Sequence, residues 1–359
     1  MGRTVVAVFS GSGNAMRAAG IVGSELLGSG RNVDAVDLAA GAAIPALDRG
    51  DVLVICSSTL GFSVPSVVME RLKAAPRSGG AAVAMLCVCG GGVKNGRTSG
   101  GWSGAASIVA LGLLRRKGWK PVASADASYP QNWTQTAEAP AGADETALLE
   151  RGDGDARTFG RAIAEGRGAF LRRNILTHTL GRLIGWIFRT VVRRMLGRLF
   201  VADDSCTSCG LCARACPATA ITMRDGLPAW SLRCCACNRC INACPASAIQ
   251  TSRARLVLVA LANIAAMIAA GPAARGILQA AAPGSGGPFF GLAVFTLNIA
   301  VYAAFTALQI GPLDSVLRSI ERKPALRRFF AAGHTKRFRR YLAPGFRPAD
   351  RSSAMSTTR

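Results

Sequence analysis

The chain has 359 residues, half of them apolar, and carries a formal charge of +23. That length exceeds one ordinary domain, and the apolar share is high for a purely soluble protein; a single soluble domain is excluded, and two or three units are expected. The charge is one-sided, with a net of +3 over residues 1–168 and +20 over residues 169–359, which fits an anionic partner surface, either nucleic acid or membrane.

The first part alternates apolar strand-like runs with helical patterns. Strands are predicted at Thr4–Ser10, Asn32–Leu38, Asp51–Thr59, Ala81–Cys89 and Pro121–Tyr129, and helices over 14–28, 64–74, 103–118 and 143–168. Near-continuous apolar strands separated by helices predict an α/β doubly wound parallel sheet covered on both faces, over residues 1–167. Ligands of such a sheet sit at the carboxyl ends of its strands. Three loops leave those ends. The first is Ser10-Gly11-Ser12-Gly13-Asn14, whose glycine amides and polar side chains, placed at a helix start, suit a phosphate. It has no lysine and is not a P-loop. The second is Ser57–Pro65, and the third begins at Gly90-Gly91-Gly92 and runs to Trp102. Cys56, Cys87 and Cys89 lie on predicted strands and read as small buried hydrophobes.

Residues 168–200 follow as a basic amphipathic linker helix. Leu176, Leu180, Leu183, Ile184, Ile187, Phe188, Val191 and Met195 recur at helical spacing, with Arg182, Arg189 and Arg193 opposite. The pattern fits either a helix lying on a membrane surface or one packed between domains.

Over residues 201–252 a cysteine pattern occurs twice: Cys206, Cys209, Cys212, Cys216-Pro217 and Cys234, Cys237, Cys240, Cys244-Pro245. Each copy reads C-x2-C-x2-C-x3-C-P, the spacing that holds 4Fe-4S clusters in bacterial two-cluster ferredoxins, where the fourth cysteine ligates the other cluster. The expected ligands are therefore Cys206, Cys209, Cys212 and Cys244 for cluster 1, and Cys234, Cys237, Cys240 and Cys216 for cluster 2. Zinc sites use C-x2-C pairs without this third cysteine and C-P step. A disulfide framework is not expected, since the chain opens on a strand-like segment. Cys235 reads as a bystander.

Two uncharged stretches, Leu256–Ala274 and Gly276–Leu313, are each long enough for a membrane-spanning helix, which needs about 20 apolar residues. They predict a transmembrane hairpin over 253–315, its first span shifted or shortened by Pro272 and Arg275. Arg253 and Arg255 precede it, and Arg318, Arg322, Lys323, Arg327 and Arg328 follow it. The positive-inside rule then places both ends in the cytoplasm. The basic tail, 316–359, with Lys336, Arg337, Arg339 and Arg340, is expected against anionic lipid. The apolar stretches decide for membrane over nucleic acid.

The Ser-Gly-Ser-Gly-Asn turn resembles the FMN-phosphate loop of flavodoxins. By that resemblance FMN would be held by Ser10, Gly11, Ser12, Gly13, Asn14 and Ala15, with its isoalloxazine ring flanked by Thr59, Leu60, Gly61, Phe62, Gly90, Gly91, Gly92 and Trp102. The Tyr129-Pro130-Gln131-Asn132-Trp133 segment resembles a Pro-x-Asn element. Joined to the cysteine repeat, roughly residues 1–250 are similar to the family of flavodoxin–ferredoxin fusion proteins. Two residues depart from the flavodoxin pattern: Ala15 replaces a threonine, and Leu60 an aromatic, leaving Phe62 and Trp102 to stack on the ring.

The expected architecture is a flavodoxin-like sheet, a small α+β two-cluster ferredoxin domain and C-terminal transmembrane helices. The expected function is a membrane-anchored electron-transfer protein relaying electrons between FMN and two 4Fe-4S clusters, in the cell inner membrane with its redox domains facing the cytoplasm. Its partners would be redox proteins or a small electron acceptor, membrane lipid, and no nucleic acid. The alternatives are an oxidoreductase reducing a quinone or a cytoplasmic acceptor, and a redox-sensing or anchoring subunit without turnover. No side chain is expected to act as acid, base or nucleophile.

Overall fold

The computed structural model describes residues 2–171, 175–284, 286–321 and 323–348. In the first part β1 (Thr4–Phe9), α1 (Asn14–Gly28), β2 (Val33–Asp37), β3 (Val52–Ser58), α2 (Ser66–Ala74), β4 (Ala82–Lys94), β5 (Arg97–Ser99), α3 (Ala106–Arg115), β6 (Lys120–Pro130) and α4 (Gly142–Ala164) follow in turn. The parallel strands lie in the order β2-β1-β3-β4-β6, and β5 pairs antiparallel with the end of β4. Leaving β5 aside, this is the 2-1-3-4-5 order of flavodoxin-like sheets. Both faces are covered: Val5, Ala7, Phe9, Leu53, Ile55 and Met85 pack toward one side, and Val6, Val8, Val54, Cys56 and Leu86 toward the other. Burial on both faces explains why the central strands read as unbroken apolar runs.

The third loop differs from its expected form. Strand β4 continues through Gly90, Gly91 and Gly92 to Lys94, and Asn95 and Gly96, at φ +52° and +71°, turn it into β5. Two positive φ values in a two-residue Asn-Gly turn are the type I′ signature. The tri-glycine run is thus a paired strand.

The linker is a near-continuous rod, α5 (Ile175–Ile187), a π-helical turn (Phe188–Val192) and α6 (Arg193–Arg198). Its buried side is the glycine pair Gly181 and Gly185, which let the helix close onto Gly104, Phe62 and Ser63. Arg189 donates to Ser63 Oγ, and Arg193 donates to Cys234 O at 2.7 Å and Leu232 O at 3.0 Å. These two arginines, expected on a water- or lipid-facing side, are spent on protein carbonyls and a hydroxyl. Leu176, Leu180, Leu183, Trp186 and Ile187 are exposed.

Next, β7 (Phe200–Ala202), α7 (Leu211–Arg214), β8 (Ile221–Arg224), β9 (Leu227–Trp230), α8 (Arg239–Ala243) and β10 (Ile249–Thr251) form a small α+β unit. Strand β7 pairs antiparallel with β10, which closes the unit, and β8 with β9, across Asp225-Gly226.

Two long helices complete the chain's apolar part. Helix α9 (Arg253–Ala281) runs unbroken past Pro272 and contains Arg275, so the first span is neither shortened nor ended there. Helix α10 (Pro288–Leu308) continues through a π turn (Gln309–Leu313) into α11 (Asp314–Glu321). At 29 and 34 residues both are long and apolar enough to cross a membrane, since about 20 residues suffice. Their most apolar windows are 11% and 0% buried within the protein, unlike the core helix of a soluble domain. They meet through small residues, Ala266, Ala270 and Ala274, which let two helices approach closely without a hydrophobic driving force. Tyr302 Oη donates to Asn263 Oδ1 at 2.9 Å, and Asn263 Nδ2 to Gln309 Oε1 at 3.1 Å.

At its base the hairpin is tied to the linker helix α6 by charge. Arg255, 2% exposed, bonds Asp314 Oδ1 at 2.9 Å, Glu321, and Arg198 O at 2.8 Å. Arg198 and Arg318 also reach Asp314, at 3.0 and 2.8 Å. After α12 (Pro324–Ala331) the chain continues as an irregular strap, 333–347, with turns at 334–337 and 344–345. Burying charges is tolerable only when they are paired. Arg255→Ala, which strands Glu321 and half of Asp314, should cost about 3–5 kcal/mol. It should lower the unfolding temperature of the detergent-solubilised protein; an unchanged transition would show that this network does not hold the hairpin.

Candidate functional site

The eight motif cysteines gather into two cages. One cavity is lined by Cys206, Cys209, Cys212 and Cys244, floored by Leu211, Met223 and Ile249. The other is lined by Cys216, Cys234, Cys237 and Cys240, with Phe200, Ile221 and Trp230. Each trio is therefore completed by the fourth cysteine of the other motif. Local backbone makes this possible. Ser208, Gly210, Ala236 and Asn238 take left-handed φ values of 57–71° between successive cysteines, which wraps the chain around a centre. Such a conformation costs a non-glycine residue of order 1 kcal/mol and persists where surrounding structure over-determines it.

The electrostatics fit metal-bound sulfur. Backbone N–H groups of Ala220 and Ala236 point at Cys216 Sγ (3.3 Å) and Cys234 Sγ (3.4 Å). Burial pushes the Cys212 thiol up to about 11 and the Cys234 thiol up to about 12, so without metal these groups hold their protons and iron must displace them. Cys237 goes the other way, lowered by a hydrogen bond from Cys235 and, to a smaller extent, by Arg239. Cys235, expected as a bystander, is thus a partner of a predicted ligand. Among the described residues no three His, Cys, Asp or Glu side chains converge as ligands of one ion. The sulfurs of each set of four line one small cavity.

The cages differ in exposure. Cys216, Cys234 and Cys237 are buried, whereas Cys209 is exposed and Cys206, Cys212 and Cys244 are half-buried. The enclosed cage is pressed between other elements: a Cβ on Gly197 of α6 would lie 2.6 Å from Cys234 Cβ, and one on Gly11 would lie 2.5 Å from Cys237 O. Arg239, 3% exposed, crosses this seam, donating to Ser10 O at 2.5 Å, Gly11 O at 3.1 Å and Ala215 O at 3.0 Å. The first loop of the sheet is thus the neighbour of the enclosed cage. Nothing in the sequence pattern revealed this. Asn242 is a second unforeseen seam residue, donating to Asn132 O at 3.0 Å and accepting from Thr134 Oγ1 at 2.9 Å.

The three sheet loops do converge at the strand ends. Gly13, at φ +108°, turns the chain into α1, a conformation suited to glycine. Ser10 Oγ accepts from the amides of Gly13 (2.9 Å) and Ala15 (3.2 Å). Ser12 accepts from Asn132 Nδ2 at its hydroxyl and from Ala343 N at its carbonyl (2.8 Å). Asn14 donates to Pro130 O at 2.9 Å and accepts from Tyr341 Oη at 2.6 Å. On the second loop Thr59 N donates to Val88 O at 2.8 Å, Leu60 N to Ser63 O at 2.9 Å, and the Phe188 ring packs on Gly61 beside Phe62. Phe62 and Trp102 touch each other, with ring centroids 4.5 Å apart. Gly90 and Gly91 back onto Gln131 and Leu148, and Gly92 onto Ser99.

As a test of flavin binding this is two-sided. The donors that a phosphate needs, hydroxyls, glycine amides and a helix N-terminus, are all present and fit the group. In the arrangement seen, the amides of Gly13 and Ala15 are already bonded to Ser10 Oγ, Asn14 is held between Pro130 O and Tyr341 Oη, and the rings of Phe62 and Trp102 lie against each other.

The tail also departs from its expected place. Arg339 Nη2 bonds Glu145 at 2.7 Å, Arg340 Nη2 bonds Ile249 O at 2.9 Å, and Lys336 Nζ pairs with Asp203 at 3.1 Å. Three of the four basic residues assigned to lipid are spent on protein. Arg337 remains exposed.

Comparison with known proteins agrees in outline. Residues 205–249 match the family described as "4Fe-4S dicluster domain", so the α+β unit is an iron–sulfur domain. Among curated proteins none matches the chain. Solved structures similar to the first part include a flavodoxin from the domain Archaea (17% identity, 45% of this chain and 96% of that one, TM-score 0.29). Flavodoxin 1 from Bacillus cereus (15%, 42% and 94%, 0.28) and Megasphaera elsdenii flavodoxin (15%, 45% and 98%, 0.28) are others. At those scores the fold assignment stands on strand order.

Gly197→Ala tests the tightness of the enclosed cage. The added methyl meets Cys234 and should lower bound iron toward half while sparing the exposed cage. Full iron with unchanged spectra would show that α6 yields to it.

Proposed function

We propose that the chain is a membrane-anchored electron-transfer protein that passes electrons between a flavin and two 4Fe-4S clusters. The observation that carries the reading is the pair of cysteine cages, each completed from the other motif, one enclosed against the sheet's first loop and one open at the surface. On this reading Cys206, Cys209, Cys212 and Cys244 hold the outer cluster, and Cys234, Cys237, Cys240 and Cys216 the inner one.

A bound flavin would supply the exchange between two-electron and one-electron chemistry that clusters lack. The chain's own residues do the rest. Ser10, Ser12, Asn14 and the loop amides would hold its phosphate, with Phe62 and Trp102 beside the ring. Arg239 places a buried positive charge between loop and inner cage, favouring whichever neighbour is the more negative. Burial and N–H···S bonds set the inner potential, and solvent contact at Cys209 the outer one. The outer cage is the side from which a redox partner or small acceptor draws electrons.

Membrane anchoring is supported by two exposed apolar helices joined by small residues and polar contacts. Arg253 before them and Arg318, Arg327 and Arg328 after them favour both ends on the cytoplasmic side.

Anaerobically purified, detergent-solubilised protein should hold about eight irons, four per cluster. Cys216→Ser should erase the electron-paramagnetic signature of the inner cluster and leave that of the outer one. Loss of the outer signature instead would overturn the crossed ligation, and an iron content near one or two atoms would overturn the cluster reading.

A further inference from the structure

We propose that the C-terminal strap and the phosphate of a flavin compete for the loop Ser10–Asn14, so that flavin enters only when the strap lifts. The inference rests on the flavin reading above and adds a condition to it.

The strap has a fixed root and a tip laid on the loop. At the root, Thr335 Oγ1 accepts from Thr251 N at 3.0 Å and donates to Gln250 Oε1 at 3.1 Å. Gly333 bridges to Ser252. These contacts fasten the strap beside the start of α9. At the tip, Tyr341 N donates to Asn242 Oδ1 at 2.9 Å, Tyr341 Oη to Asn14 Oδ1 at 2.6 Å, and Ala343 N to Ser12 O at 2.8 Å. Phe346 lies where a side chain on Gly13 would be: a Cβ there would sit 2.6 Å from Phe346 Cβ. The three residues the tip engages, Ser12, Gly13 and Asn14, are ones that the sequence assigns to phosphate. A phosphate needs their amides and side chains turned toward it. The strap holds Asn14 turned to Tyr341 and packs Phe346 over Gly13.

A route for the competitor adjoins the tip. An open cavity of about 470 Å³ is lined by Gly13, Arg17, Asp37, Arg239, Phe346 and Arg347 among others. Arg17 is held by Asp153 at 2.6 Å, and Asp37 works against an anion. Arg239, Arg347 and the N-terminus of the 15-residue helix α1 favour one. A phosphate arriving there meets Arg239 and the start of α1 on one side and the strap, with Arg347 and Phe346, on the other. Displacement gives up the bonds from Tyr341 Oη and Ala343 N, both made to acceptors that no phosphate can use, and takes Phe346 off Gly13, uncovering the start of α1, whose N–H groups make charge-assisted bonds about twice as strong.

The test uses the full chain in detergent, titrated with FMN by quenching of flavin fluorescence, together with hydrogen exchange of the strap. FMN should raise exchange over 341–347, whereas riboflavin, which lacks the phosphate, should not. Tyr341→Phe and Phe346→Ala weaken the tip without touching the loop. Each should tighten FMN binding, Tyr341→Phe roughly three- to tenfold for one hydrogen bond, and leave riboflavin affinity unchanged. FMN bound with strap exchange unaltered, or bound equally by wild type and variants, would overturn competition and leave the flavin reading intact. No FMN binding by any of the three, at full iron content, would overturn the flavin reading and the competition with it. The pocket would then be a socket for the strap alone.

Discussion

The structure turns on a buried guanidinium. Arg239 sits 3% exposed at the meeting of the sheet's first loop and the enclosed cysteine cage, and its hydrogen-bond acceptors are backbone carbonyls. A buried cation without a carboxylate is costly unless something nearby carries negative charge. Two groups of the proposed assembly would carry it, a thiolate-ligated cluster and a flavin phosphate, and they fall on either side of Arg239. The same side chain also orients Ser10 and Gly11, so the geometry of the loop and the charge balance of the cage are one problem. The two redox parts are accordingly packed as one body here, with Gly11 against Cys237 and Asn242 against Asn132.

That packing gives the two cages unequal surroundings. The inner one is closed off by α6, Trp230 and the loop, which strengthens N–H···S bonds and keeps water out. The outer one shows Cys209 to solvent, and exposed Arg214 donates to Cys209 O at 2.9 Å. Burial disfavours the added negative charge of reduction, and solvent or a nearby cation favours it. Burial, hydrogen bonding and solvent exposure therefore differ between cages that the cysteine spacing makes look identical.

Much of this was legible in the sequence. Apolar runs placed all five parallel strands, because a sheet buried on both faces has no alternation to lose. Cysteine spacing groups the eight cysteines into two sets of four, and the same two sets line the two cavities. The hairpin at Asn95-Gly96 went unread, because the tri-glycine run before it made the whole stretch from Gly90 to Trp102 read as a loop. What stayed hidden depends on partners far along the chain. The linker's leucines looked like its packing side, yet Gly181 and Gly185 bury because the opposing loop is itself close-packed. Arg339 and Arg340 looked like a lipid-facing block, since nothing local marks Glu145 and Ile249 O as their partners. Pro272 looked like a helix stop and is carried within α9.

The segment Ile249–Arg255 explains how these distant pieces stay in register. Strand β10 closes the iron–sulfur unit on β7, Thr251 Oγ1 reaches Gln135 O at 3.1 Å, and Thr251 N meets the root of the strap. One residue on, Ser252 Oγ bonds Phe330 O at 2.7 Å and caps α9, and Arg255 anchors the charge network under the hairpin. Seven consecutive residues thus touch the cluster unit, the loop after β6, the strap and the apolar helices. A rotation of α9 would be felt first at Arg255 and Ser252, where the polar groups are buried and have no water to turn to. It would be passed to Thr251 and from there to Thr335, the fixed point of the strap. The chain therefore joins the two long apolar helices to the sheet's first loop through hydrogen bonds that must move together or break.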